Sequence, residues 1–215
     1  MDKKKHAIII SNDSYFIQGL RHLLHDNYPL HVEYLNISEK NSDELVTALV
    51  KRYNPEETII FIAVDDFKII YLIPGFWNYR IVFSLRHFQQ KTMLFSFCDV
   101  IFISRNMQLK LLLDTIDGIF HGVNPGNIAL STRENDVVFN YFRWPRKSYI
   151  QTFLNIDVKR VSYYKRSVYQ KIMVTSDCAG YHVIRAMNDV SGALLMGRQE
   201  NVNLFCRHSQ FLTTE

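Results

Sequence analysis

The sequence has few cysteines and no long apolar run. Its three cysteines, Cys98, Cys178 and Cys206, are odd in number, far apart and without zinc-ligand spacing, so neither a disulfide framework nor a structural metal is expected. No apolar stretch approaches the length of a membrane span, and the one after Lys5 is too short for a signal-peptide core. These absences favour a protein of the reducing cytoplasm with no membrane partner.

Arrangements typical of catalysis are also missing. The sequence contains no nucleophile–base pair, no paired catalytic carboxylates and no glycine loop that could cradle a phosphate. The eight histidines show no metal-ligand spacing. We therefore expect a protein that is not an enzyme, with no catalytic residue, no metal and no cofactor.

Charge is distributed unevenly along the chain. Residues 1–123 carry 13 basic and 14 acidic side chains, whereas residues 124–215 carry 12 and 7. Residues 130–174 contain nine lysines and arginines but only three acidic residues. A locally basic helical segment is typical of nucleic-acid binding, although a solvated basic face without any target is the alternative.

Apolar patterns alternate between two periods in the first half of the chain. Short β-branched or alternating runs predict strands at 6–10, 31–37, 58–64, 80–85 and 100–103. Helical spacing predicts helices at 14–26, 42–53, 87–97 and 107–120, while 65–79 gives no clean helix. This order favours a parallel α/β sheet with helices on both sides. The aromatic-rich stretch 76–97 is interpreted as mostly core, with Trp77 and Tyr79 as the better candidates for an interface.

Glycine and proline cluster at 122–127, where the charge balance changes. The predicted organisation is an α/β domain at 1–121, a linker at 122–129, an all-helical domain at 130–190 and a loose tail at 191–215.

Three helices are predicted within the basic segment. Ser131 can cap the first, and Glu134 three residues later completes a capping box. The second spans 147–154, and Asp157 can cap a third that runs to about residue 173.

The third helix has two different faces. One stripe is apolar, with Val161, Val168 and Ile172. The opposite side carries cationic and hydroxyl groups that can read base edges or neutralise phosphates, namely Lys159, Arg160, Ser162, Tyr163 and Arg166. Lys147 and Lys171 are predicted phosphate contacts.

The same residues carry a family resemblance. Leu130-Ser131-x-Arg133-Glu134-x-Asp136-Val137-Val138, Ile150-x-x-x-Leu154-x-Ile156-x-x-Lys159-x-Val161 and Val168-x-x-Lys171-Ile172-x-Val174 follow one another without a gap. This pattern resembles the LuxR-type helix-turn-helix. The resemblance implies that 158–173 is the recognition helix and that double-stranded DNA is bound by a dimer on a near-palindromic site.

Some positions depart from the family pattern. Trp144 and Pro145 replace a glycine of the first connector, and Gln151 replaces a small alanine. Arg160 and Tyr164 stand where the recognition helix usually has Thr and His. These differences bear on the target sequence and leave the helical framework in place.

The first half is similar to a response-regulator receiver, but its metal-binding residues are altered. Ser11 and Asn12 replace the acidic pair, and Arg105 follows the last strand where a lysine is expected. Phosphoryl transfer needs a carboxylate-held Mg²⁺. We therefore expect a degenerate receiver that is not phosphorylated, with Asp65 as a weak candidate for the phospho-acceptor.

The overall plan is similar to that of auxiliary capsule regulators and related fimbrial regulators of enteric bacteria. That resemblance implies a cytoplasmic, nucleoid-associated transcription regulator that acts as a homodimer or as a heterodimer with another LuxR-type regulator. Two alternatives stay open. The chain could titrate a related regulator without sequence-specific DNA binding, or the first half could bind a small molecule.

Overall fold

A computed structural model describes residues 5–37, 42–86, 93–142 and 147–210, with side chains described except at 42, 147 and 198–210. The strands are β1 His6–Ser11, β2 His31–Asn36, β3 Thr58–Ala63, β4 Arg80–Leu85, β5 Leu94–Phe97 and β6 Val100–Ser104. The α-helices are α1 Ser14–Asn27, α2 Ser42–Val50, α3 Leu109–Phe120, α4 Thr132–Tyr141, α5 Lys147–Leu154, α6 Val158–Lys171 and α7 Asp177–Gln210. Short 3₁₀ helices occupy Pro55–Glu57, Phe67–Leu72 and Phe76–Asn78.

The strands form one sheet in the order β2-β1-β3-β4-β6-β5. All neighbours pair in parallel except β5, which pairs antiparallel with β6. Strands buried on both faces read as continuous apolar runs, and all six residues of β3 are buried. The predicted fold class, a receiver-like parallel α/β sheet followed by an all-α domain, is confirmed.

The two faces of the sheet are covered differently. α1 and α3 pack on one face, where Ile9, Phe61 and Ile101 belong to a single buried cluster. The opposite face meets α2 and the 3₁₀ segment Phe67–Leu72, which stands between β3 and β4 where a strand–helix–strand unit would place an α-helix.

The helix predicted at 87–97 is wrong over 94–97, which form β5, and its residues 87–92 lie outside the described part of the chain. Phe95 and Phe97 bury their rings, and Cys98 and Asp99 turn the chain directly into β6. Both turn residues have positive φ, 52° and 62°. Hairpin turns with two such residues usually have Asn-Gly or Asp-Gly, so the pair Cys98-Asp99 is not a recognisable turn signal.

The two predicted domains share one continuous core on this second face. Val183, Met187 and Val190 of α7 belong to the same buried cluster as Phe83 and Phe102 of the sheet. Further along α7, two glycines also contact the 3₁₀ helices of the first domain. Gly192 lies against the Tyr71 hydroxyl, and Gly197 lies against the Trp77 ring.

The loose tail predicted from residue 191 is wrong within the described residues, because α7 continues as a helix to Gln210. Ala193 is buried, and Gly197 accommodates Trp77. Tertiary packing against the first domain therefore supports a helix that apolar periodicity alone did not reveal. Of the two aromatic interface candidates, Trp77 contacts α7 of its own chain, and Tyr79 is buried.

The predicted linker pairs with the edge of the sheet. The backbone N–H of Ser96 donates to Gly126 O at 3.2 Å, and Ile128 N donates to Ser96 O at 2.8 Å. The Ser96 hydroxyl donates to Pro125 O at 2.9 Å. The linker therefore follows β5 as an added edge partner, while its boundaries at 122 and 129 stay a prediction.

Candidate nucleic-acid interface

Local capping fixes where the helices of the second domain begin. Ser131 Oγ accepts from Glu134 N, and a Glu134 carboxylate oxygen accepts from Ser131 N at 2.8 Å, so the predicted capping box is confirmed. Asp157 Oδ1 accepts from Arg160 N at 2.8 Å, which confirms the predicted cap of α6. The carboxylate also complements the positive end of the helix dipole.

A small apolar cluster sets the rotation of α6 against α4 and α5. Val137, Ile150 and Val161 are fully buried against one another. Val168 and Ile172 continue the buried stripe along α6 into the main core. The helix can therefore present only its other side to a ligand, as the sequence pattern predicted.

That other side carries the predicted DNA contacts. Lys159, Arg160 and Arg166 are exposed, and the Tyr163 ring is 62% exposed. Ser162 is half-buried between them. Three cations and two hydroxyl groups thus lie on one accessible surface, which we call the α6 outer face (residues 159, 160, 162, 163 and 166). Lys147 is the first residue of α5.

Lys171 is held by an internal ion pair. Its Nζ lies 2.8 Å from Glu134 Oε2 and donates to Ala129 O at 3.0 Å. The Glu134 carboxylate also accepts from Ser167 Oγ at 2.7 Å. Burial would raise the pKa of Glu134, but hydrogen bonds from Lys171, Ser167 and Ser131 lower it to about 2. The phosphate contact of Lys171 stays a prediction, and any phosphate would compete with this carboxylate.

A second polar cluster ties the middle of α6 to its neighbours. Lys165 Nζ donates to Asp177 Oδ1 at 2.9 Å and to the Tyr141 hydroxyl at 3.3 Å. It also lies 4.7 Å and 5.3 Å from the ring centroids of Tyr141 and Tyr169. These groups come from three different helices, so no spacing in the sequence indicated the cluster. Lys165 is thereby turned away from the α6 outer face.

The carboxyl ends of the strands in the first domain hold arginines in place of a carboxylate cluster. Asp13 caps α1 by accepting from Tyr15 N and Phe16 N, and it pairs with Arg86 at 3.2 Å. The backbone N–H of Phe16, together with Arg86, lowers the pKa of Asp13. Burial lowers the pKa of Arg105, and Arg86 adds to the effect.

The two aspartates after β3 have different surroundings, although Asp65 attracts the Arg105 guanidinium of this cluster. Asp65 is exposed, while Asp66 caps the 3₁₀ segment Phe67–Leu72 and lies 3.8 Å from Arg185 of α7. Across the described residues, no three His, Cys, Asp or Glu side chains converge in a way that could hold a metal ion. The absence of a phospho-acceptor, with Asp65 as the weak candidate, stays a prediction.

Comparison with known proteins yields structural neighbours only. No family model matches the chain, and no curated protein matches it. A structure of the two-component response regulator RcsB in complex with DNA is 14% identical, with a TM-score of 0.51, over 88% of this chain and 98% of that chain. RcsB from Salmonella enterica serovar Typhimurium, bound to promoter rprA in the presence of phosphomimetic BeF3⁻, is 12% identical, with a TM-score of 0.50, over 87% and 100%.

At this level of identity the neighbours show the fold alone, a receiver-like α/β domain followed by an all-helical domain, as in the response regulator RcsB. The more specific resemblance to the auxiliary capsule regulators stays a prediction. In the described parts of the chain, no helix combines the length and apolar character that crossing a membrane requires.

Proposed function

We propose that the chain is a bacterial DNA-binding transcription regulator whose α6 outer face enters the major groove. The observation that carries the proposal is the accessible cluster of Lys159, Arg160, Tyr163 and Arg166 opposite a fully buried apolar stripe. Guanidinium and hydroxyl groups read base edges, while lysines neutralise phosphates. The helix-turn-helix fold supports this role, since the two RcsB neighbours are DNA complexes.

The regulator would act as a dimer, either with a second copy or with another LuxR-type regulator. One helix-turn-helix domain contacts only a half-site, and a dimer reads two half-sites about one helical turn apart. The shared core supports a fixed orientation of the DNA-binding domain within each subunit.

Control would not depend on phosphorylation. Ser11 Oγ donates to the backbone of Ala63 at 2.7 Å, so the end of β1 carries a hydroxyl engaged with protein rather than a carboxylate free for Mg²⁺. The nearby Arg86 and Arg105 guanidiniums would repel a divalent cation.

Substitution of Arg160 tests the groove assignment. Arg160→Ala should weaken specific binding by about 1–3 kcal/mol and relax discrimination against scrambled DNA. The matched control is Arg21→Ala, which removes an exposed arginine from α1 of the other domain. Both variants are compared by fluorescence anisotropy on a DNA site selected by the wild-type protein. Undiminished discrimination by Arg160→Ala would remove this residue from the interface.

A further inference from the structure

Two arginines and one carboxylate meet at the carboxyl ends of β1, β4 and β6. Arg86 Nη2 lies 3.2 Å from Asp13 Oδ2, and Arg105 Nη1 lies 3.8 Å from the same oxygen. The first distance allows a hydrogen bond, and the second exceeds one. The other oxygen, Oδ1, already accepts from Tyr15 N and Phe16 N at 3.1 Å. Asp13 therefore cannot satisfy both guanidiniums.

Arg105 is the group left short of acceptors. Its side chain is 9% exposed, and its Nη2 donates to Ser84 O at 3.3 Å. Nε and Nη1 are buried and have no hydrogen-bond partner among the residues that the structure describes, and the same holds for Ser84 Oγ. An unsatisfied buried donor costs about 1–3 kcal/mol, and more when it is charged. The cluster therefore holds more donors than acceptors.

We propose that this cluster is a binding site for a small phosphate-class oxyanion, held without covalent bonding and without a metal ion. Among the described residues, Asp13 is the carboxylate that lies within 4 Å of the two guanidiniums, and it leaves the buried Nε and Nη1 donors of Arg105 open to an added anion. A phosphate offers several oxygens, and guanidinium N–H groups match their geometry. Asp65 attracts Arg105 more than Asp13 does, but its carboxylate is exposed and screened by solvent, and it does not supply the buried donors with a hydrogen bond.

The cluster has an accessible side and a buried floor. Arg86 is 51% exposed and Asp13 23% exposed, so a ligand can approach from them, while Arg105 forms the floor over the Phe16 ring. The oxyanion displaces Asp13 Oδ2 from Arg86 and supplies acceptors to Arg105. Asp13 Oδ1 stays with the α1 cap. Occupancy therefore stabilises the first domain by satisfying donors that the folded protein leaves open.

The test is thermal unfolding of the full chain titrated with inorganic phosphate at constant ionic strength in the presence of EDTA. We expect the Tm of the wild type to rise and saturate. Arg105→Met, which keeps an unbranched chain over Phe16, and Arg86→Gln should each weaken binding about tenfold or more. Arg21→Gln removes a positive charge from the exposed side of α1 and should leave the response unchanged.

The outcomes separate the possible ligands. A saturable response to inorganic phosphate or to glycerol phosphate supports the site, and the lower half-saturation identifies the free ion or the monoester as its source. Equal responses of the wild type and both cluster variants would mean an adventitious ion only and would overturn the proposal. An absent response, a response that needs Mg²⁺, or an equal response to acetate would overturn it as well. If Arg105→Met does not fold, Arg86→Gln alone decides.

Discussion

Replacing Glu134 by Gln removes one charge from the base of the helix-turn-helix while keeping its shape. A glutamine oxygen can still accept from Ser131 N, since Gln also serves in a capping box. The interaction that the substitution removes is the ion pair with Lys171, whose Nζ is 2.8 Å from the carboxylate. The carboxylate side chain is 6% exposed, whereas Lys171 is 38% exposed and stays hydrated without its partner.

The change in the pKa of Glu134 on folding gives the size of the expected loss of stability. The pKa of Glu134 falls from 4.5 to about 2 on folding, a difference equivalent to about 3 kcal/mol at most. Because Lys171 is partly exposed to solvent, we expect about 1–2 kcal/mol at pH 7. A carboxyl whose folded pKa is lowered stabilises the fold above its unfolded pKa. That contribution is lost as the pH falls from about 4.5 towards 2, with half of it gone near about pH 3.

Urea unfolding at pH 7, 5 and about 3 measures this difference. Glu134→Gln should be less stable than the wild type at pH 7 and 5. The difference in the free energy of unfolding between the two proteins should be smaller at the lowest pH. Asp136→Asn on the same helix is the control, since it also replaces one carboxylate by an amide but at a half-buried position. A difference in the free energy of unfolding that stays constant across this pH range would refute the ion-pair explanation, because the cost of a packing defect does not depend on pH.

Two further predictions concern the first domain and its contact with the second. Gly197→Ala places a methyl group against three atoms of the Trp77 ring and should destabilise the protein by about 1–3 kcal/mol. Gly19→Ala, where a Cβ meets no atom within 4 Å, should be neutral or stabilising in the same thermal scan; equal losses would show that the α7 contact is not formed. Incubation with acetyl phosphate and Mg²⁺ should leave the intact mass unchanged, and a stoichiometric phosphoryl adduct on Asp65 would contradict the degenerate-receiver interpretation.

Helices and strands that depend on their own residues could be predicted from the sequence. Buried β-branched runs such as 58–64 gave strands, and the caps Ser131 and Asp157 gave helix starts. The buried and exposed sides of α6 followed from the helical period. These features depend on interactions within a few residues, so their signal is local.

Features that depend on distant residues were missed. The strand at 94–97 is stabilised by pairing with β6, which follows it in the chain. The two-residue turn between the strands begins with Cys98, which is not a typical turn residue. The part of α7 around Gly192 and Gly197 packs against Tyr71 and Trp77 of the other domain. In the same way, the roles of Lys165 and Lys171 were hidden, because their carboxylate partners lie on other helices. A count of basic residues therefore overstated the charge free to meet DNA.

If the α6 outer face binds DNA, the affinity of the protein for DNA should depend strongly on salt. The affinity for a selected site should be measured over rising salt, with the protein alone and with a candidate LuxR-type partner. Neutralised phosphates release counterions, so we expect a linear, steep fall of the logarithm of the binding constant with the logarithm of the salt concentration. No detectable binding to DNA at low salt, with or without the partner, would rule out DNA binding by α6 and favour a modulator that acts only on another regulator.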